Sequence, residues 1–369
     1  METLWLWLTI PGAVMWVGLL VAPWLPWLNR EHLEPQADDA PDLSAVTVLI
    51  PARDEADVIG RTIAGLRTQG EGLRVIVIDD RSQDATAHIA ALQGAEVLAG
   101  RPKPDGWAGK LWALEQGLQR VATPLVLLLD ADIELKPGLL AALLRRKAAT
   151  GAQFVSLMAD LRRTSFWDTL LLPAFVYYFR LLYPFAVSNS GARWVAAAAG
   201  GCVLVDRQTL RDAGAFASLR GALIDDCTLA RRIKDAGGRT WVGLSRGVVS
   251  LRPYGSLVAI YEMVARSAYT QLRYSPLLLA VVTLLFAVAY WLPLAALLAA
   301  PAAPQQVAGL ALIAMFIGYL PTLQYYRVPW VFALLLPVTG TLYLGMTWGS
   351  ALRYWRGVGS QWKGRRYAR

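Results

Sequence analysis

The sequence predicts an α/β domain with parallel strands, bracketed by membrane-spanning segments. Three observations predict it. Strand-length apolar runs alternate with helix-period stretches between residues 45 and 129. Long apolar runs stand before and after that region. The composition is 56% hydrophobic and 17% charged, with a mean hydropathy of +0.39. Soluble domains carry roughly 45–50% apolar and about 25% charged residues, so part of this chain needs a solvent other than water.

Leu4 to Leu28 is apolar and long enough for a bilayer's roughly 30 Å hydrocarbon core. Pro11, Pro23 and Pro26 predict a kink near its middle and a frayed end. It has no basic leading region and no small-residue cleavage site, so it reads as an uncleaved anchor over residues 1–28. Residues 29–44 are polar and proline-containing, a linker. Ala45–Ile50, Leu73–Ile78, Val97–Leu98 and Leu125–Leu129 read as strands. Glu55–Gln69, Asp84–Leu92 and Leu111–Val121 read as the helices between them. Alternation of this kind makes parallel sheets, and continuous apolar runs fit strands covered on both faces. The α/β domain is placed at residues 45–275. Residues 167–187 are rich in Leu, Phe and Tyr and read as interfacial helices, with a buried core helix as the alternative. Residues 276–352 hold three further apolar segments, and 353–369 form a basic tail.

The formal net charge is +9 and the isoelectric point about 9.7. Arg353, Arg356, Lys363, Arg365, Arg366 and Arg369 lie beside apolar sequence, which suits anionic headgroups better than a nucleic-acid duplex. No zinc finger, RNP motif or basic heptad is present, so nucleic acid is not an expected partner. Two cysteines, Cys202 and Cys227, make no disulfide scaffold, and two His with two Cys make a zinc site improbable.

Three acidic clusters carry chemistry. Asp79-Asp80 closes an apolar strand, where a carboxylate can accept from a ribose hydroxyl or a pyrimidine N–H; a capped turn is the plainer reading. Asp130-Ala131-Asp132 follows five apolar residues, and two carboxylates at a buried strand end are unfavourable without a cation. They are hard oxygen ligands suited to Mg2+ or Mn2+ bridging a diphosphate. Asp225-Asp226 opens a stretch with apolar spacing at Leu229 and Ile233. One of this pair could act as a general base, or both could simply cap a helix.

The ordered set IPARDE, VIDDRSQD, GWAGKLWAL, LLDAD, AAGGCVLVDR and IDDCTLARRI resembles the family 2 inverting glycosyltransferases of GT-A fold. The subgroup most resembled is the hopanoid-biosynthesis-associated glycosyltransferases, relatives of the ceramide glucosyltransferases. The match covers about residues 45–275, with Gln361-Trp362-Lys363-Gly364-Arg365 in the tail. The resemblance implies a Rossmann-like mixed sheet, a nucleotide-sugar donor (a UDP-sugar), a divalent metal and a lipid acceptor such as a hopanoid. It implies that Pro51, Ala52, Arg53 and Glu55 line the nucleotide pocket and that Asp79 and Asp80 hold the uridine. Lys110 would face the phosphates, and Asp130 and Asp132 would be the metal motif. Gly200 and Gly201 would let the backbone approach donor and acceptor. Asp226 would be the catalytic base beside Asp225, where the family usually has Glu. The family's (Gln/Arg)-x-x-Arg-Trp motif is replaced by MVARSAYTQLRYSP, so Arg266 or Arg273 would serve the leaving diphosphate, with Tyr274 where Trp is expected.

The expected location is the inner or plasma membrane, with the catalytic domain cytoplasmic beside a soluble donor. Arg30 after the first span, with no Lys or Arg before it, mildly supports an outside amino terminus. Three full carboxyl-terminal spans would then put the basic tail outside, so two spans plus a hairpin are preferred. A processive polysaccharide synthase is disfavoured by few spans and the missing Trp. A non-catalytic scaffold is disfavoured by the presence of all three acidic clusters. A dinucleotide-dependent dehydrogenase lacks its G-x-G-x-x-G after the first strand.

Overall fold

The computed structural model describes residues 1–36, 41–222 and 224–357, and the backbone of 361–362 and 365–366. Of the tail motif, Lys363 and Gly364 lie outside the described residues, as does Arg369. The chain divides into two units. One comprises Met1–Arg30, Arg163–Ala186 and Tyr254–Gln361; the other comprises Glu31–Arg162, Val187–Pro253 and Trp362–Arg369.

The second unit is built on one sheet. Its strands are β1 (Val46–Ala52), β2 (Arg74–Asp79), β3 (Glu96–Ala99), β4 (Leu125–Leu129), β5 (Ile133–Leu135), β6 (Phe154–Asp160), β7 (Cys202–Asp206) and β8 (Thr240–Ser250). Their spatial order is β3-β2-β1-β4-β7-β6-β8-β5. The expected parallel set is the half β3-β2-β1-β4, joined by helices Ala56–Arg67, Thr86–Leu92 and Gly109–Leu118. The other half is mixed: β7 runs antiparallel to both β4 and β6, β6 and β8 are parallel, and β5 is antiparallel to β8. Val48 and Ile50 point to one core layer and Leu49 to the other, and all three are fully buried. That two-sided cover explains an unbroken apolar strand, each such side chain contributing about 1.5–3 kcal/mol. The register of β4 and β7 positions two sequence motifs together. Leu129 at the end of β4 pairs with Cys202 at the start of β7, which sets Gly200–Gly201 beside Asp130.

The first unit is helical. Among the described residues four of its helices are, by length and composition, able to cross a membrane: Glu2–Val21, Pro276–Ala299, Ala302–Tyr325 and Trp330–Trp355. The first runs through Pro11 and stops at Val21, ahead of Pro23, so it is shorter than the apolar run in the sequence. Five residues of π-helix, Ala287–Trp291, interrupt the second, and the Trp16 indole donates to the Ala289 carbonyl there at 2.7 Å. A Cβ at Gly12 would meet the Val288 carbonyl oxygen at 2.6 Å, so only glycine permits that approach. Helix Phe166–Leu182 opens with a Ser165–Asp168 capping box and buries Leu170, Leu171, Leu172, Ala174, Val176 and Tyr177 within this unit. The apolarity of 167–187 thus has a packing partner on the protein itself.

Candidate active site

The site lies where strands of the second unit end. After β1 the chain turns through Arg53, Asp54 and Glu55, with Asp54 at φ +51°. Arg53 donates to the Asp80 carbonyl at 2.9 Å, tying the ends of β1 and β2 together. Glu55 is buried; its N–H donates to the Thr86 hydroxyl at 2.7 Å and its carboxylate pairs with Arg252. Asp80 is buried, whereas the Asp79 carboxylate faces the Ser82 N–H at 3.3 Å as a turn cap.

Asp130 follows β4, and its N–H donates to the Gly201 carbonyl at 3.1 Å. Helix Asp225–Asp235 begins with the acidic pair. Asp226 Oδ2 accepts from the Gly200 N–H at 2.8 Å, and Oδ1 accepts from the Cys227 N–H at 2.7 Å. Lys110, at the start of helix Gly109–Leu118, places Nζ 2.5 Å from Asp130 Oδ1 and 3.5 Å from the Gly200 carbonyl. One cleft is therefore lined by Pro51, Lys110, Asp130, Gly200, Asp225 and Asp226, over an apolar floor that includes Leu111 and Phe216.

The electrostatics follow from burial. Burial and then the charge of Asp225 push the Asp226 carboxyl up to about 6. Burial alone would lower the Lys110 ammonium, but Asp130 and then Asp225 hold it above the ordinary lysine range. Asp132 sits two residues past Asp130 of the cleft lining; burial, then Asp130 and Glu55, push its carboxyl up to about 6. Among the described residues, no three His, Cys, Asp or Glu side chains form a metal cage. The residues present nonetheless fit a divalent ion, since Asp130 and Asp132 are hard carboxylates and Asp132 is held among like charges that outweigh the one cation bearing on it, Arg252.

Gly200 and Gly201 invite a specific reading. A Cβ at Gly200 would meet Asp226 at 3.4 Å and Lys110 Nζ at 3.5 Å, and at Gly201 nothing nearer than 3.5 Å. Neither has a left-handed φ. Folding therefore does not demand glycine at either position.

Arg266 and Arg273 belong to the helical unit. Arg266 closes helix Leu257–Ala265, and Arg273 and Tyr274 both adopt left-handed φ, with Tyr274 stacked on Tyr354 at 4.4 Å. Sequence reasoning missed Arg252, which joins Glu55 and bears on Asp132, because β8 was not read as a strand and its end carried no acidic flag. It also missed Arg220, whose guanidinium lies 4.6 Å over the Trp107 ring, and Glu115, which accepts from the Phe216 and Ala217 N–H groups at 3.1 Å. These contacts join Trp107 and helix Gly109–Leu118 to the chain from Phe216 to Arg220.

A family model described as glycosyltransferase like family 2 matches residues 41–270, and the chain belongs to that family. Its catalytic unit has the mixed α/β architecture of the GT-A type. The chain is 38% identical over 90 residues to the 4,4'-diaponeurosporenoate glycosyltransferase of Staphylococcus aureus (strain USA300), covering 24% of each protein. It is 34% identical over 93 residues to the same-named protein of Staphylococcus haemolyticus, covering 25% of each. The aligned stretch is about a quarter of the length of these curated relatives. The mannosyltransferase of Pyrobaculum calidifontis, solved with GDP-Man and Mn2+, aligns over 95% of this chain and 98% of its own, with a TM-score of 0.53 and 18% identity. That likeness is one of fold.

Proposed function

We propose that the protein is a membrane-bound inverting glycosyltransferase that moves a sugar from a nucleotide-sugar, a UDP-sugar, to the hydroxyl of a lipid. The observation that carries this reading is the cleft in which Asp226, Asp225 and Asp130 surround Lys110.

In the proposed reaction Asp226 takes the acceptor proton. Both its oxygens are already oriented by backbone N–H groups, and its pKa near 6 leaves it ionised and basic at neutral pH. The acceptor oxygen bonds to the anomeric carbon as the bond to the diphosphate breaks, so one displacement inverts that centre. Lys110 faces the diphosphate and offsets its growing charge. Asp130 and Asp132 would hold a divalent cation, which when bound neutralises phosphate charge. Arg266 or Arg273 assists the leaving group. Pro51, Ala52, Arg53, Glu55, Asp79 and Asp80 surround the nucleotide, with glycines at 200 and 201 keeping room for donor and acceptor.

The lipid acceptor is supported by four helices of spanning length and by the stretch shared with diaponeurosporenoate glycosyltransferases. A hopanoid as that lipid rests on the motif resemblance. A cytoplasmic catalytic face in the inner or plasma membrane rests on the soluble donor.

The test supplies membranes carrying the full chain with labelled UDP- and GDP-sugars and identifies the labelled product by mass. A lipid bearing one sugar of inverted configuration is expected. A long polymer would instead favour a processive synthase, and failure to bind any nucleotide-sugar with Mn2+ present would overturn the reading.

A further inference from the structure

Helix Asp225–Asp235 presents its first residues to the catalytic cleft and its last turn to a second cavity of about 410 Å³. The helix is about 16 Å long, so the two are separate sites. The second cavity opens beside Thr240, the first residue of β8, and the 189–193 segment. Arg193, Lys234 and Arg239 line it, and none of its twelve lining residues is Asp or Glu.

Lys234 alone has an ordinary explanation. It stands in the last turn of its helix, where cations suit the dipole, and its ammonium donates to the Ala192 and Val195 carbonyls at 2.8 Å. The other groups lack one. Among the described residues neither the Arg193 nor the Arg239 guanidinium forms an ion pair or a side-chain hydrogen bond, and both residues are exposed. Thr240 also lines the cavity and is only 4% exposed, and its buried hydroxyl has no hydrogen-bond partner among the described residues. Two guanidiniums without an ion-pair partner and one buried hydroxyl without a hydrogen-bond partner, in a lining free of carboxylates, favour an oxyanion. Two planar guanidinium forks and a hydroxyl suit phosphate oxygens, and the volume admits a phosphate with a small attached group.

The geometry points to a second, phosphate-binding site at Arg193, Arg239 and Thr240, distinct from the cleft that would take the donor diphosphate. Its ligand carries a phosphate monoester, either soluble or as the headgroup of a lipid. Occupancy would also brace the chain leading to Gly200. Arg231 donates to the Arg193 and Trp194 carbonyls, and the Cys227 thiol to the Ala198 carbonyl, so this segment is already fastened along the same helix.

The test uses the full chain in detergent, titrated with inorganic phosphate against chloride at matched ionic strength. Calorimetry and the thermal midpoint are read for the wild type and for Arg193→Gln/Arg239→Gln. A parallel arm uses nanodiscs of phosphatidylcholine alone or doped with phosphatidic acid. The expected result is a rise in midpoint with phosphate, and affinity reduced about tenfold or more in the double variant. A loss confined to the phosphatidic-acid arm supports the site and assigns the lipid source. Phosphate bound in the catalytic cleft would persist in the double variant. Equal responses of wild type and variant in both arms overturn the proposal. Arg193→Lys/Arg239→Lys, which keeps the charge, should recover part of the binding, and unchanged UDP binding by the Gln variant shows that it has folded.

Discussion

The backbone N–H of Gly200 donates to Oδ2 of Asp226 at 2.8 Å, across 26 residues of sequence. The bond sets the carboxylate's orientation, and the glycine that makes it needs neither its φ nor its bareness for folding. Gly200→Ala should therefore fold with a stability within about 0.5 kcal/mol of wild type. The added methyl would occupy space kept for the substrates, so transfer should fall at least tenfold. Thermal midpoint and turnover, measured on one preparation, check this; a midpoint that drops in step with activity would show that the glycine serves packing.

Asp226→Asn separates stability from function. A carboxyl pushed up to about 6 opposes the folded state at neutral pH, because the ionised form is disfavoured by burial and by Asp225. The amide keeps an acceptor for one N–H and removes the charge. The variant should stay close to wild type in stability, since relief of the buried charge is offset by the one N–H left facing the amide NH2, keep its donor affinity and lose transfer by roughly 10²–10⁴-fold. Substantial turnover in the variant would remove Asp226 from the base role.

The sequence shows some of this more readily than the rest. Asp130 and Asp226 stand out because each marks a sharp change of pattern: five apolar residues stop at Asp130, and an amphipathic helix starts at Asp225. The parallel half of the sheet is legible for the same reason, since β1, β2 and β4 are short apolar runs between helices. β8 is not, because Gly243 and Gly247 interrupt its pattern, and without β8 nothing brings Arg252 to Glu55. Segment 167–187 is apolar enough for lipid or protein, and only the fold reveals that Leu171, Ala174 and Tyr177 pack within the helical unit. The second cavity had no signal at all, as Arg193 and Arg239 are 46 residues apart and singly unremarkable.

Lys110→Gln should move the pH profile. The Lys110 ammonium lowers the Asp226 pKa, so its removal raises that pKa above about 6. For a base, activity falls as the group protonates, by about tenfold per pH unit below the pKa. The acid limb of kcat/KM should thus lie near pH 6 in the wild type and at higher pH in the variant. Stability should also drop by about 2 kcal/mol, since Asp130 loses its partner. A limb that stays in place in the variant would uncouple the two residues.

The acid limb has a second contributor that a metal titration separates. The Asp132 carboxyl is pushed up to about 6 by burial, then by Asp130 and Glu55. A divalent cation favours the ionised form, so Mn2+ affinity should weaken as the pH falls through about 6, while excess Mn2+ should restore donor binding. Asp132→Asn removes one hard ligand and the titration together. Its UDP affinity should become nearly independent of Mn2+, with a loss of about tenfold or more at saturating metal. Isothermal titration of UDP with and without Mn2+, at pH values on both sides of 6, reads this directly. If the variant keeps the wild-type metal dependence, the cation is held elsewhere, and the Asp226 limb alone governs the acid side of the profile.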